Sequence, residues 1–381
     1  MDRQGAADFR LQNSYKALYP RPVLGQTFLD NLDQVQRHRT RLPPWFSNLL
    51  PEGALRQLLE RQLEGAPATE FALLHRLGRD LPGDVRLHTD EGSDFVQIES
   101  TSDDRQHEGD RDWKFSLAGV QLKFSAHRSD RGLTIPLSGI GGEWIAKLPD
   151  ARFPEVPTNE YATMQWARES GVQLPAICLV GLADIEGLPA EALIGRERVA
   201  YVVHRFDRPA TGKRVHIEDF AQVLGVYPER KYDSTNYETL GRLILTLAGR
   251  ASFDEYLRRL VFIVASGNCD AHLKNWSLVY SDPIRPVLSP AYDLVSTIQY
   301  MPSDGLALNL AGSKQWARVS IASFERVARK LELSETSVRA HVLQVVDEVR
   351  SAWQRGSTEF GFTQDQRNVI DRHMASVPLL N

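Results

Sequence analysis

An aspartate followed five residues later by an asparagine, where a buried helix releases the chain, is a pattern that can move a phosphoryl group. In Gly267-Asn268-Cys269-Asp270-Ala271-His272-Leu273-Lys274-Asn275, Asp270 would take the proton of an acceptor hydroxyl and Asn275 would hold a divalent cation. Alone, this spacing reads equally well as a polar helix-to-strand turn. Asp293, in Ser289-Pro290-Ala291-Tyr292-Asp293-Leu294, strengthens the chemical reading. A hairpin that carries the chain from the asparagine to a second carboxylate offers Mg²⁺ hard oxygen ligands from two segments. The order base, asparagine, hairpin, aspartate is kept without insertion.

Two upstream features would complete such a site. Lys147 lies in the alternating segment Trp144-Ile145-Ala146-Lys147-Leu148, where an ammonium among apolar neighbours is costly unless paired. Glu160, in the first turn of the next helix, is the candidate partner, and the two would form the lysine–glutamate pair that positions ATP phosphates in kinases. A lysine on the solvent face of the strand is the competing reading. The loop Ser116-Leu117-Ala118-Gly119-Val120-Gln121 precedes a strand and could cover phosphates with backbone N–H groups. With one glycine it also fits a plain hairpin turn.

These residues need elements to position them. The 381 residues suggest two to three domains. A hydrophobic share of 42% and a charged share of 25% are those of a globular protein, and the net charge of −4 gives no overall pull towards nucleic acid or an anionic membrane. Two distant cysteines, Cys178 and Cys269, exclude a disulfide framework or a cysteine-based zinc site. With no secretory signal and no apolar run long enough to span a bilayer, a cytoplasmic location is expected.

Residues 90–112 carry nine acidic side chains against two arginines and read as a solvated linker. Before it, residues 1–90 show helix-like pieces around PPWFSNLLPEGALRQLLERQL, with Pro51-Glu52-Gly53 read as a turn and nothing that looks catalytic. Residues 91–210 predict a small antiparallel sheet (VQLKFSA, LTIPL, EWIAKLP, AICLVGL, VAYVVHRF) with one helix, TNEYATMQWARES, inserted. Residues 211–381 turn helical, and Leu257, Leu260, Val261 and Val264 mark a buried stripe before Gly267.

The motifs FSLAGVQLK, WIAKLP, Asn159-Glu160, VHRFDR, GNCDAHLKN and LSPAYD, together with WFSNLLPEG, occur in one order across nearly the whole chain. In that order and spacing the chain resembles the HipA family, kinase toxins of type II toxin–antitoxin modules. The resemblance implies an α+β, bilobal protein-kinase-like fold, with a mixed N-terminal sheet lobe and an all-helical C-terminal lobe. It implies ATP and Mg²⁺ as cofactors, with Lys147 on the ATP phosphates and Glu160 beside it. His204 and Phe206 would lie at the adenine hinge, Asp207 near the ribose, and His272 and Lys274 along the nucleotide. Asp270 would be the base and Asn275 and Asp293 the metal ligands. Ser116 matches a loop serine that family members autophosphorylate; a phosphate there, with about −1.5 to −2 charges, would repel those of ATP.

The expected activity is serine/threonine phosphorylation of a protein, typically an aminoacyl-tRNA synthetase, held in check by a HipB-like DNA-binding antitoxin. DNA would be reached through that antitoxin. HipA chains usually open with paired strands ahead of the segment matching Phe9-Arg10-Leu11, so either this first subdomain is abbreviated or a separate partner chain supplies strands by edge pairing. Two other functions compete: a non-catalytic nucleotide-binding co-repressor, and a small-molecule phosphotransferase. FERVARKLELSETSVRAHVLQVV has a helix-turn-helix rhythm but reads better as a core helix pair, and Arg37-His38-Arg39-Thr40-Arg41 reads as a solvated loop.

Overall fold

The computed structural model describes residues 7–61, 69–88, 122–129, 132–136, 141–188, 197–209 and 212–381. Ser116, its loop and the acidic stretch 90–112 lie outside the described residues. Near the start, β1 (Ala7–Phe9) pairs antiparallel with β2 (Gln36–His38). The basic run read as a solvated loop therefore contributes a strand. Arg41, at its end, is also engaged: its guanidinium meets Glu70 and Glu229, each at 2.9 Å, and covers the Tyr227 ring at 4.1 Å.

The alternating segments form one six-stranded sheet from β3 (Lys123–Ser129), β4 (Gly132–Thr134), β5 (Trp144–Lys147), β6 (Ile177–Gly181), β7 (Ile185–Glu186) and β8 (Val199–His204). Their order is β6-β8-β5-β3-β4-β7. All pairings are antiparallel except β4 with β7, which is parallel and corrects the expected antiparallel sheet. β7 has two residues, too few to leave a period-2 signal in sequence.

Alternation gives this sheet two faces. Phe124, Ala126, Ala146, Ala200 and Val202 share a core with Trp45, Leu55, Leu59 and Leu73 of the N-terminal region. Tyr201 and Val203 join the second core, with Trp166 and Phe262. Lys147 lies opposite Lys123 on one side and Tyr201 on the other, which puts both lysines on this second face.

The helix Val156–Glu169 joins β5 to β6, opened by Pro157 and followed by Gly171 at φ 77°. Its Trp166 indole donates to the Val349 carbonyl at 3.1 Å and lies 4.4 Å from the Trp353 ring, which docks the helix on the C-terminal helices. The long helix Tyr237–Ser266 is kinked at Gly249 (φ 79°, ψ −178°). Its Leu257, Leu260, Val261 and Val264 are fully buried, as their spacing predicts. Gly267 ends it at φ 64°, and a Cβ there would lie 2.8 Å from Ile298, so glycine is required on two counts.

The C-terminal part is not all-helical. β9 (His216–Asp219), β10 (Ser277–Tyr280) and β11 (Val287–Leu288) form a three-stranded sheet in the order β11-β10-β9. The hairpin β10–β11 is legible in sequence, but β9 is short and polar and becomes a strand through its distant partner. Val338 and Val342 are fully buried and Leu331 and Leu333 pack against the same core, which gives the core helix pair rather than a DNA-binding motif. Among the described residues no helix is long and apolar enough to cross a membrane.

Candidate active site

A cavity of about 330 Å³ lies against the second face of the six-stranded sheet, and every expected site residue in the described part of the chain lines it. The loop 268–275 is shaped by its own polar groups once Gly267 has stopped the helix. Asn268 Oδ1 accepts the Asp270 N–H at 2.9 Å, the His272 N–H donates to the Asp270 carbonyl at 2.7 Å, and Cys269 N–H donates to Thr297 Oγ1 at 2.6 Å. A short turn, Leu273–Asn275, then aims Asn275 into the cavity. Burial pushes the Asp270 carboxyl upwards, opposed by a hydrogen bond from the Tyr232 hydroxyl.

Asn275 Nδ2 lies 3.4 Å from Asp293 Oδ2, although the two residues come from separate segments. Asn275 Oδ1 is buried without a hydrogen-bond partner among the described residues. An unpaired amide oxygen beside a carboxylate is a donor set suited to a hard cation. Among the described residues no group of three or more His, Cys, Asp or Glu is placed to hold a metal alone. Asp293 holds φ 55°, a left-handed conformation costly for a non-glycine residue, so its placement is enforced by its surroundings.

Lys147 ties the sheet to this pair. Its Nζ donates to Glu160 Oε1 at 2.5 Å and to Asp293 Oδ1. Burial would lower the Lys147 pKa, but Asp293 and Glu160 overcome it and raise it. Burial likewise acts to raise Asp293, yet Lys147 and Lys123 hold it below the usual carboxylate range. Glu160, wholly buried and facing the charge of Asp293, is pushed up to about 7 against the pull of Lys147. Lys123, the last residue of the FSLAGVQLK motif, adds a second ammonium; burial lowers its pKa, with Asp293 opposing the effect and Lys147 adding to it.

A second ionic cluster was missed. Glu52, read as part of a turn, lies 2.8 Å from Lys231 Nζ and 2.7 Å from Lys274 Nζ. Burial would raise its carboxyl, but Lys274 and Lys231 hold it down at about 2. Lys274 Nζ also donates to the Asn48 carbonyl at 3.1 Å. The N-terminal region therefore grips the loop 268–275 directly. His272 lies between these charges; burial and then Lys231 push its pKa down to about 3, which keeps the ring neutral.

The two residues expected at a hinge, His204 and Phe206, are placed differently from one another. The His204 N–H is already given to the Ala176 carbonyl at 2.8 Å, while the Phe206 ring faces Tyr292 at 5.7 Å across the cavity. Asp207, expected beside a ribose, has both carboxylate oxygens engaged. Oδ1 accepts from Arg205 Nε at 3.0 Å, and Oδ2 accepts from Arg205 at 2.8 Å, Arg208 at 2.7 Å and the Gly83 N–H at 2.9 Å. With Asp80, which meets Arg208 at 2.9 Å and Arg214 at 3.1 Å, it braces the 204–207 stretch against the N-terminal region.

Comparison with known proteins bears on the family and the fold. Residues 1–88 match the HipA N-terminal domain and residues 115–353 the HipA-like C-terminal domain. A Sinorhizobium fredii protein that carries a kinase name, Y4dM, is 41% identical over 99% of this chain and 93% of its own length. The serine/threonine-protein kinase toxin HipA of Shewanella oneidensis is 26% identical over 66% of this chain and 62% of its own. The solved structure of Shewanella oneidensis HipA with HipB and operator DNA superposes with a TM-score of 0.67 at 19% identity, covering 89% of this chain and 84% of that one. The chain belongs to the HipA-like family of kinases.

Proposed function

We propose that the chain transfers the γ-phosphoryl group of ATP to a serine or threonine of a protein, as the toxin of a toxin–antitoxin module. The observation that carries this reading is the meeting of Lys147, Asp270, Asn275 and Asp293 around one cavity, with Asn275 and Asp293 3.4 Å apart. In it, the six-stranded sheet and the helical part act as the two lobes of a kinase. Lys147, oriented by Glu160, and Lys123 beside it meet the phosphates. The 204–207 stretch receives the base, with Asp207 as its brace. Lys274 and neutral His272 line the phosphate side, and Asp270 accepts the proton of the acceptor hydroxyl. Asn275 and Asp293 would hold Mg²⁺, which when bound neutralises phosphate charge. Catalysis then comes from positioning and charge compensation. The complete base-and-ligand set weighs against a non-catalytic co-repressor.

A translation-related substrate such as an aminoacyl-tRNA synthetase, a HipB-like antitoxin and modification of Ser116 follow from family membership and belong to this proposal. The likeness to a HipA–HipB–DNA complex supports the antitoxin. Among the described residues β1 pairs only with β2, so its outer edge is where a separate partner strand would add. The test is incubation of wild type and Asp270→Asn with labelled Mg-ATP and a cell lysate. A protein band labelled only by wild type supports the reading, and equal labelling by both removes it.

A further inference from the structure

The base Asp270 already holds a hydroxyl. Tyr232 donates its phenol hydrogen to Asp270 Oδ1, the contact that a general base must make with the hydroxyl it activates. Tyr232 comes from outside the catalytic loop, and its side chain and main chain are held very differently. The main chain is fixed. The Tyr232 carbonyl accepts from Lys314 Nζ at 3.2 Å, the neighbouring Lys231 carbonyl accepts the Leu273 N–H at 3.3 Å, and Lys231 Nζ is clamped by Glu52. The ring instead stands at the rim of the cavity, 37% exposed, with its edge on His272 at 4.9 Å. Rotation about the side-chain bonds would swing the phenol into solvent without moving the segment that carries it.

We propose that Tyr232 is the resting occupant of the acceptor position on Asp270, displaced by a protein serine or threonine and otherwise excluding water from the base. The inference rests on the phosphoryl-transfer reading and adds to it a residue that decides which hydroxyl is used. In the unwanted reaction a water oxygen forms the new bond to the γ-phosphorus, the bond from that phosphorus to the β–γ bridging oxygen breaks, ADP leaves, and the water proton goes to Asp270. Tyr232 suppresses this step by keeping its own O–H on the carboxylate. A protein hydroxyl, delivered with the binding energy of its whole chain, has the means to displace the phenol; a single water molecule does not.

The test is ATP hydrolysis by the full chain, with Mg²⁺ and no protein acceptor, for wild type, Tyr232→Phe, Tyr232→Ala and Asp270→Asn. Tyr232→Phe keeps the ring and its contact with His272, and an unchanged thermal midpoint verifies its fold. Removing one hydrogen bond to a charged acceptor should raise hydrolysis about tenfold above wild type. Tyr232→Ala should raise it at least as much, and Asp270→Asn should abolish it. Hydrolysis by Tyr232→Phe at or below the wild-type rate, or no turnover by either Tyr232 variant, overturns the inference. Phosphate found on Tyr232 itself in wild type would also overturn it, because the residue would then be an acceptor rather than a placeholder. Failure of the underlying reading would look different: wild type would not bind Mg-ATP, and label transfer to lysate protein would not depend on Asp270.

Discussion

Two ionic clusters flank Asp270, the proposed base, and they are built with opposite signs. Around Lys147, one ammonium serves two carboxylates, Glu160 and Asp293. Around Glu52, one carboxylate serves two ammoniums, Lys231 and Lys274. Counted with Lys123 on the neighbouring strand, the first is close to balanced in charge, and the unpaired oxygen of Asn275 beside the Asp293 carboxylate is what favours a cation. The second is left with an excess of positive charge along the same cavity, which favours an anion. A nucleotide triphosphate with its metal carries both, so the pair of clusters gives the cavity a polarity that matches one ligand. The hinge cluster of Asp80, Asp207, Arg205, Arg208 and Arg214 is a contrast, because its groups are engaged with each other and act as structure.

Breaking the first cluster should have the largest effect. Lys147→Met removes the cation from the buried Glu160 and the half-buried Asp293 and should destabilise the fold by about 3 kcal/mol, with loss of nucleotide binding; denaturant titration and ligand titration would measure the two losses. The charge-neutralising double variant Lys147→Met with Glu160→Gln should recover part of the stability and none of the binding.

The second cluster should respond to acid. The folded-state carboxyl of Glu52 is depressed to about 2 from 4.5. Its contribution is therefore fully present above pH 4.5 and is lost as the pH falls through about 2. The shift corresponds to about 3 kcal/mol. Glu52→Gln should be less stable than wild type by that order at pH 7, and the gap should close steadily below pH 4.5 in chemical denaturation followed against pH.

Gly267→Ala tests the loop that both clusters surround. A methyl at a left-handed position, 2.8 Å from Ile298, should cost about 1–3 kcal/mol and lower turnover by displacing Asp270. The smallest effect belongs to the exposed pair Arg230–Asp233, on the segment that also carries Lys231 and Tyr232. Arg230→Ala should change stability by less than about 0.5 kcal/mol, which would separate the buried charges from their solvated neighbours.

The same contrast explains what was legible in sequence. Asp270, Asn275 and Asp293 are close along the chain, and the turn and hairpin between them have local signals. Lys147 was visible as a charge in an apolar strand and Glu160 as the next helix's inward acid. Glu52 gave no such sign, because its partner Lys231 lies 179 residues away and Pro51-Glu52-Gly53 is also a good turn. Tyr232 looks like any surface aromatic until its 38-residue reach to Asp270 is known. Strands β7 and β9 failed for a related reason: each is a short segment made into a strand by its partner. Asp207 holds more than its motif tells: the carboxylate lines the cavity and is at the same time engaged by two arginines.

The most direct test of the paired clusters is titration of ATP into wild type and Asp293→Asn, each with and without Mg²⁺. Wild type should bind ATP more tightly with the metal, and Asp293→Asn should lose that gain while keeping the metal-free affinity that comes from the lysines. Equal affinity with and without Mg²⁺ in wild type, unaltered by Asp293→Asn, would contradict the account.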